Sequence, residues 1–174
     1  MAKLTVTELK KQLAKKTKEE LIQEITILYQ KIPEVKEFYQ LQVGEAGQVA
    51  EKYKDIILKE FAGKGRALPK ARLSVGKKAI SDFKKLTNDP ELIADVMLTY
   101  VESVSSFNEE YSVGDEDYYT SPEDMFEEAL ALIKENGLLP RFKAKAQGIV
   151  KNATDSFGHR DTLRYAFEEV YGKR

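Results

Sequence analysis

The chain has 174 residues, 42% of them hydrophobic and 33% charged, which suffices for one compact domain with a solvated surface. It has no cysteine, so disulfides, thiolate catalysis, cysteine-ligated zinc and iron–sulfur clusters are excluded. The formal net charge of −1 conceals a division, because residues 1–87 hold 19 Lys and Arg against 11 Asp and Glu, and residues 88–174 hold 9 against 18. No apolar run approaches the roughly 18 residues of a membrane span, and the N-terminus has no signal-peptide core, so we expect a cytoplasmic protein.

Two capping boxes mark the starts of the first two helices, Thr5 with Glu8 and Thr17 with Glu20. Pro33 ends the second helix and opens the third. Apolar residues three and four apart form a stripe on each helix, and we expect these stripes to lie in a shared core. The stripe of the second helix contains Leu21, Ile25, Leu28 and Ile32, flanked by Ile22 and Tyr29.

The middle of the chain predicts three more helices. Apolar spacing places the fourth from Val49 to Phe61 and the fifth from Val75 to Leu86. Asn88-Asp89-Pro90-Glu91 is a strong start signal for the sixth, with a capping side chain, a proline in the first turn and an acid near the positive end of the helix dipole. The sixth helix is apolar on more than one face, so we place it at the centre of the fold.

Residues 108–120 have no clear period and predict a long loop. Ser121-Pro122 repeats the helix-start pattern, and Leu139-Pro140 opens a further helix before a last one near the C-terminus. The sequence therefore predicts an all-α protein of about nine short amphipathic helices, in a compact bundle or a short stack of helical hairpins. We expect a single domain over residues 1–174, with a soft subdivision near residue 87 as the alternative.

The charge division is concentrated in two adjoining segments. Residues 63–85 carry eight Lys and Arg against one Asp, whereas residues 86–133 carry thirteen Asp and Glu and no Lys or Arg. A split of this size creates an oriented field, which must be neutralised within the fold or by a partner.

The basic segment could bind phosphates or an acidic protein surface. Its candidate partner-binding residues are Arg66, Lys70, Arg72, Lys77 and Lys78. The alternative is a solvated helix face lying against the chain's own acidic segment, where each exposed ion pair adds only about 0–1 kcal/mol. The turn at residues 63–66 lacks the spacing of a phosphate-binding P-loop.

The acidic segment interleaves carboxylates with tyrosines, which suits docking of a basic partner. Its candidate partner-binding residues are Glu109, Glu110, Asp115, Asp117, Tyr118 and Tyr119. Ca²⁺ or Mg²⁺ binding and a plain solvated loop are the other interpretations. The EF-hand pattern does not continue after Asp117, so we predict no metal ligands.

His159 is the only histidine, and Asp161 lies two residues further on. A histidine oriented by a carboxylate could act as a general base. Residues this close on a helix do not face each other, and no motif marks a nucleophile. We therefore expect a structural His159 and an Asp161 that caps the last helix, and we predict no catalytic residue and no cofactor.

Five segments carry a family resemblance, namely Leu4–Leu13, Lys18–Ile22, Leu28–Phe38, Ala79–Leu86 and Met125–Leu130. They resemble an uncharacterised family of small bacterial proteins, a domain of unknown function. The resemblance implies an all-helical cytoplasmic protein with no established activity. Near the end such proteins carry aromatic-Gly-aromatic-His-Asp, and the matching residues 157–161 have Arg160 in place of that His, which weakens a histidine-based role.

These patterns favour a non-enzymatic interaction or scaffold module, whose charge-polarised surface docks a protein partner or a second copy. One alternative is a nucleic-acid-binding regulator that uses residues 63–85; Thr5–Ile22 is also similar to a SAP-type DNA-binding helix pair, without the usual glycine turn. Another is an enzyme with an unrecognised site. Such a site would need a pocket that unites His159, or Glu109 and Asp115, with other polar side chains.

Overall fold

The computed structural model describes residues 4–62 and 68–173. Within these ranges the regular structure consists of nine α-helices and one short 3₁₀ helix, with no strand, so the prediction of an all-α fold is confirmed. The helices are α1 (Val6–Leu13), α2 (Lys18–Lys31), α3 (Pro33–Gln42), α4 (Ala46–Phe61), α5 (Leu73–Leu86), α6 (Pro90–Tyr111), α7 (Asp117–Glu135), α8 (Leu139–Asn152) and α9 (His159–Tyr171), and the 3₁₀ helix is Ser156–Gly158.

Helix α6 lies at the centre of the fold, as its composition predicts. The Asp89 carboxylate caps it by accepting hydrogen bonds from the backbone N–H groups of Glu91 at 2.9 Å and Leu92 at 3.3 Å. Helices α4, α5, α7 and α8 pack around it. The buried apolar cluster that results contains side chains from Val49 to Leu163, on both sides of residue 87.

Helix α5 approaches α6 so closely that only glycine fits at the contact. A Cβ atom on Gly76 would lie 2.5 Å from Cδ2 of the Tyr100 ring. That ring is fully buried, and its hydroxyl is hydrogen-bonded to Ser121 Oγ at 2.7 Å. Burial also raises the pKa of Tyr100 to about 12. Gly76 therefore sets how deeply α5 sits on the core.

Helices α1–α3, residues 4–43, form what we call the arm, and helices α4–α9 form the body. Both predicted capping boxes are present in the arm, but α1 and α2 contain no buried residue. Helix α3 is joined to the body through the buried Glu37, whose carboxylate accepts a hydrogen bond from the Tyr53 hydroxyl at 2.8 Å and pairs with Lys52. The expectation that the first three helices share the core is wrong for α1 and α2, which bury no side chain. From the arm, the half-buried Leu41 of α3 packs against the core cluster.

The predicted loop over residues 108–120 is also wrong, since only residues 112–116 separate α6 from α7. Pro122 does not start a helix but lies inside α7. A proline has no N–H for the carbonyl four residues earlier, that of Tyr118, and the side-chain amide of Asn108 donates to this carbonyl at 2.6 Å instead. The compensating donor belongs to α6, so local sequence does not reveal it.

Candidate functional site

The predicted basic surface is partly neutralised by its own neighbours. Lys70, Arg72, Lys77 and Lys78 are exposed, while Arg66 lies outside the described residues. The Arg72 guanidinium donates to the Glu60 carboxylate from Nε at 2.7 Å and from Nη2 at 3.0 Å, and this contact lowers the pKa of Glu60. Lys78 pairs with Asp82 one turn further along α5. Lys70 and Lys77 have no carboxylate partner in the described part of the chain.

The carboxylates of the predicted acidic surface, unlike Arg72 and Lys78, have no ion-pair partner among the described residues. Glu109, Glu110, Asp115 and Asp117 are exposed at the junction of α6 and α7, and none of them forms an ion pair with another described residue. A partner that approaches this junction would therefore meet unpaired carboxylates.

The two tyrosines predicted for the acidic surface serve the fold. Tyr119 is buried, and its hydroxyl donates to the carbonyl of Val113 at 2.6 Å. Tyr118 is half-buried and donates to the carbonyl of Ala71 at 2.8 Å. Both hydroxyls tie the start of α7 to neighbouring backbone, so neither is free to dock a partner in this arrangement.

The two halves of the chain neutralise each other at few points. Of the fourteen acid–base pairs in the described residues, two join residues 1–87 to residues 88–174. These two are Lys54 with Asp95 and Lys84 with Glu128. Ion pairs within each half therefore outnumber those between the halves, twelve to two.

His159 is the centre of a buried polar cluster that the sequence does not predict. Its Nδ1 lies 2.7 Å from Glu123 Oε1, and its Nε2 lies 2.9 Å from Ser105 Oγ. Both contacts are satisfied by a neutral imidazole that donates from Nδ1 to the carboxylate and accepts the serine hydroxyl at Nε2. The cluster joins α6, α7 and α9, and the edge of the His159 ring faces the ring of Tyr119.

The order serine, histidine, carboxylate is the one that activates a nucleophile in many hydrolases. Here Ser105 is only 3% exposed and His159 is 0% exposed. Ser105, Glu123 and His159 line none of five surface cavities of about 320–390 Å³ in the described part of the chain. A substrate does not reach the Ser105 hydroxyl in this structure. The cluster therefore stabilises the packing of α6, α7 and α9 against one another.

Sequence reasoning missed this cluster because its members are far apart in the chain. Ser105 and Glu123 lie 54 and 36 residues before His159. Asp161, the carboxylate that the sequence suggested, pairs with Arg164 instead. It does not cap α9 either, because Gly158 at φ +72° is the N-cap residue and Asp161 lies in the first turn. The one usable signal was a lone histidine among core-forming helices.

A second charged cluster lies in a cavity of about 320 Å³ between α4, α6 and α8. The Asp95 carboxylate accepts hydrogen bonds from Lys54 and Lys145, both at 2.7 Å. Burial opposes ionisation of Asp95, but the two lysines outweigh it and lower its pKa. Glu91 and Arg141 pair beside it. Each charge has a partner, so the cavity offers no surplus charge to a ligand.

The described residues give no sign of a metal site or of a membrane span. They contain no group of three or more histidine, aspartate or glutamate side chains placed to hold a metal ion. In the same part of the chain, no helix combines the length and the apolarity that a bilayer crossing requires.

The arm carries the largest accumulation of exposed apolar side chains. Sixteen large hydrophobic residues are exposed in the described ranges, and eleven of these lie between residues 4 and 43. They are Leu4, Val6, Leu9, Ile22, Ile25, Ile27, Leu28, Tyr29, Ile32, Phe38 and Val43. An apolar groove of about 340 Å³ runs between α2 and α3, lined by Ile25, Tyr29, Tyr39 and Val43 among others.

A family model covers residues 4–173, which is nearly the whole chain, and its description is Family of unknown function (DUF6155). The chain belongs to this family. DUF6155 fits the resemblance to an uncharacterised domain found in the sequence, and its description assigns no activity to the arm, the His159 cluster or the Asp95 cluster. No curated protein and no solved structure gives a significant match to this DUF6155 chain.

Proposed function

We propose that this chain is a non-enzymatic interaction module, in which a rigid helical body carries an arm that binds another protein. The observation that carries the proposal is the position of the exposed apolar residues. Eleven of the sixteen in the described ranges belong to the arm, which is about a quarter of the chain. Contiguous exposed apolar surface on a folded protein is typical of a protein-binding site, whereas scattered single residues are not.

The internal structure of the arm supports this proposal. Capping boxes at Thr5 and Thr17 stabilise the helix starts, and the Glu37–Tyr53 contact fixes α3 to the body. Desolvation of Tyr53 and its hydrogen bond to Glu37 both raise the pKa of the tyrosine, which keeps its hydroxyl protonated as a donor. The arm is therefore ordered while its apolar faces stay open, and ordering before binding lowers the entropic cost of association.

The charge-polarised surface has a guiding role in this proposal. The carboxylates at the junction of α6 and α7 are exposed and unpaired among the described residues, and Lys70 and Lys77 are exposed charges of the opposite sign on the body. Exposed charges orient an approaching partner and raise its association rate, while apolar contacts hold the complex. We place the module in the cytoplasm of a bacterial cell, as the absence of cysteine and the sequence resemblance suggest.

Two observations weigh against the alternatives. Nucleic-acid binding through the basic segment would use Arg72 and Lys78, but carboxylates already hold both. An enzymatic site at His159 would need a route for substrate to Ser105, and that hydroxyl is buried.

Site-specific photocrosslinking in the native host tests the proposed function. A benzophenone amino acid replaces Ile22, which is 53% exposed on α2, and in a matched control it replaces Lys151, which is exposed on α8. We expect a discrete crosslinked protein species from position 22 and none from position 151. Equal crosslinking from the two positions, or none from position 22, would contradict the proposal.

A further inference from the structure

We propose that the partner of the arm is a second copy of this chain, paired through α2 in an antiparallel, two-fold symmetric contact. This inference rests on the proposed function, because it names the occupant of the same apolar surface. Three features of α2 carry it, namely the spacing of its apolar residues, the placement of its charges and the number of exposed apolar side chains that the contact would cover.

The apolar stripe of α2 has coiled-coil spacing. The seam consists of Leu21, Ile25 and Leu28 on α2 and of Ile32 at its C-cap, where the backbone is already extended. The intervals of four, three and four residues keep these side chains facing one partner helix. None of these side chains is buried; Ile25 is 42% exposed, and Leu28 and Ile32 are exposed to a similar degree. In the fold, Leu21 is half-buried and the other three side chains of the seam are exposed to solvent.

Antiparallel pairing uses the whole seam. With the two-fold axis between Ile25 and Leu28, the Ile25 side chain of each copy packs on Leu28 of the other copy. The same axis places Leu21 of each copy against Ile32 of the other. Ile22 and Tyr29 flank the seam on one side, so they also meet across the axis as an apolar pair.

The charges beside the seam select the direction. Glu24 and Lys31 flank it on the other side, seven residues apart on the same face of the helix. Antiparallel pairing brings Glu24 of each copy next to Lys31 of the other, which gives two ion pairs of opposite sign. Parallel pairing would set Glu24 beside Tyr29 and leave Lys31, the last residue of α2, without a partner on that helix. Lys31 has no carboxylate partner within the described residues, whereas Glu24 is approached by Lys16.

The contact covers much of the arm's exposed apolar surface. Five of the arm's eleven exposed large hydrophobic residues lie on or beside the seam, namely Ile22, Ile25, Leu28, Tyr29 and Ile32. A two-fold contact covers all five in each copy at once, so nearly half of the exposed apolar side chains of the arm leave water together.

Engineered disulfides test the contact and its direction together, and the chain contains no native cysteine to interfere. The variant that combines Leu21→Cys with Ile32→Cys should form a disulfide-linked dimer under mild oxidation. Each single variant should stay largely unlinked, because antiparallel pairing separates the two equivalent thiols by about 16 Å along the helix axis, beyond disulfide reach. The same separation prevents a link between the two thiols within one chain.

Charge exchange provides a second variant set that leaves the apolar seam intact. Glu24→Lys alone and Lys31→Glu alone should each weaken dimerisation roughly three- to tenfold, measured by sedimentation equilibrium, because each sets like charges together twice. The two changes combined in one chain should restore it. Circular dichroism on every variant confirms that the helices remain folded.

Three outcomes overturn the inference: a purified chain that stays monomeric at about 0.1 mM, single cysteine variants that link as readily as the double variant, or no rescue by the combined charge exchange. The photocrosslinking at position 22 separates these failures from failure of the proposed function. A monomeric purified chain with a crosslinked species of any mass other than twice 19.8 kDa leaves the interaction module standing with a different partner. A monomeric chain with no crosslinked species from position 22 contradicts both the pairing through α2 and the proposed function.

Discussion

Among single residues, His159 has the largest expected effect on stability. His159→Ala removes a fully buried ring and leaves Ser105 and Glu123 without their partner. The lost packing and the orphaned polar groups should lower the free energy of unfolding by about 3 kcal/mol. Urea denaturation followed by circular dichroism measures this change.

The matched control for His159 lies on the same helix. Glu169 is exposed and has no polar partner among the described residues, so Glu169→Ala should change the free energy of unfolding by less than about 0.5 kcal/mol. If His159→Ala lowered the free energy of unfolding no more than Glu169→Ala does, the cluster would not stabilise the packing of α6, α7 and α9 as the geometry indicates.

Residue roles could be predicted from sequence only where the partner is local. Thr5 with Glu8 and Asp89 with Glu91 are close in the chain, and both caps have the predicted geometry. The partners of His159, Tyr118 and Asn108 come from other helices. Those contacts depend on how helices pack, and periodicity carries no information on which polar side chains will meet across a core.

The contact between α5 and α6 yields a prediction about an element. Gly76→Ala would raise the helix propensity of α5, but the added methyl group would lie 2.5 Å from the Tyr100 ring. That ring is buried and held at its hydroxyl by Ser121, so it has little freedom to move. We expect a net loss of about 1–3 kcal/mol in the free energy of unfolding, measured by thermal or urea denaturation.

Gly148 in α8 provides the control for Gly76. A Cβ atom there meets nothing within 4 Å, so Gly148→Ala should stabilise the protein by about 0.4–1 kcal/mol through helix propensity and reduced freedom of the unfolded chain. A stabilising Gly76→Ala would show that α5 is not seated against α6 as described.

The Asp95 cluster, which links α4, α6 and α8, predicts a dependence on pH. The pKa of Asp95 is lowered in the fold, so its contribution to stability is present above its unfolded pKa of about 4 and is lost as the pH falls through the folded pKa. Asp95→Asn should cost about 1–3 kcal/mol at pH 7 and flatten the loss of stability as the pH falls below about 4.

Urea denaturation at several pH values measures the effect of Asp95→Asn. Asp55→Asn is the control, because Asp55 is exposed and pairs only with Lys59 one turn away in α4. Its curve should follow that of the wild type. Parallel curves for Asp95→Asn and the wild type would contradict the assigned role of Asp95.

The ends of helices could be predicted from the sequence more reliably than the contacts between helices. Capping residues, Pro33 and Pro90 fix helix ends through local backbone chemistry, and those ends are where the sequence places them. Pro122 was wrongly predicted to start a helix. A proline inside a helix leaves one carbonyl without its N–H donor, and the side-chain amide of Asn108 on α6 donates to that carbonyl instead. The stripe on α2 predicted burial in the core, and this prediction is wrong, because α2 contains no buried residue.

In the whole molecule, association through the arm and association through exposed charges should respond differently to salt. Association through the arm is mainly apolar, so raising NaCl from about 0.05 M to about 0.5 M should weaken it less than tenfold. A surface that held four phosphates with Lys and Arg would lose more than a thousandfold over the same range. Light scattering at the two salt concentrations measures association of the purified chain. A more than thousandfold loss of affinity would show that charge, and not apolar surface, holds the contact.

The central claim is that another protein covers the apolar face of the arm in solution. Thiol reactivity tests it most directly, since the natural chain has no cysteine and one introduced thiol reports on one place. Ile25→Cys places the thiol on α2, and Lys151→Cys places it on an exposed part of α8. In cells of the native host, a maleimide should label position 25 much more slowly than position 151, with the difference abolished by denaturant. Equal labelling rates in the cell would contradict the account.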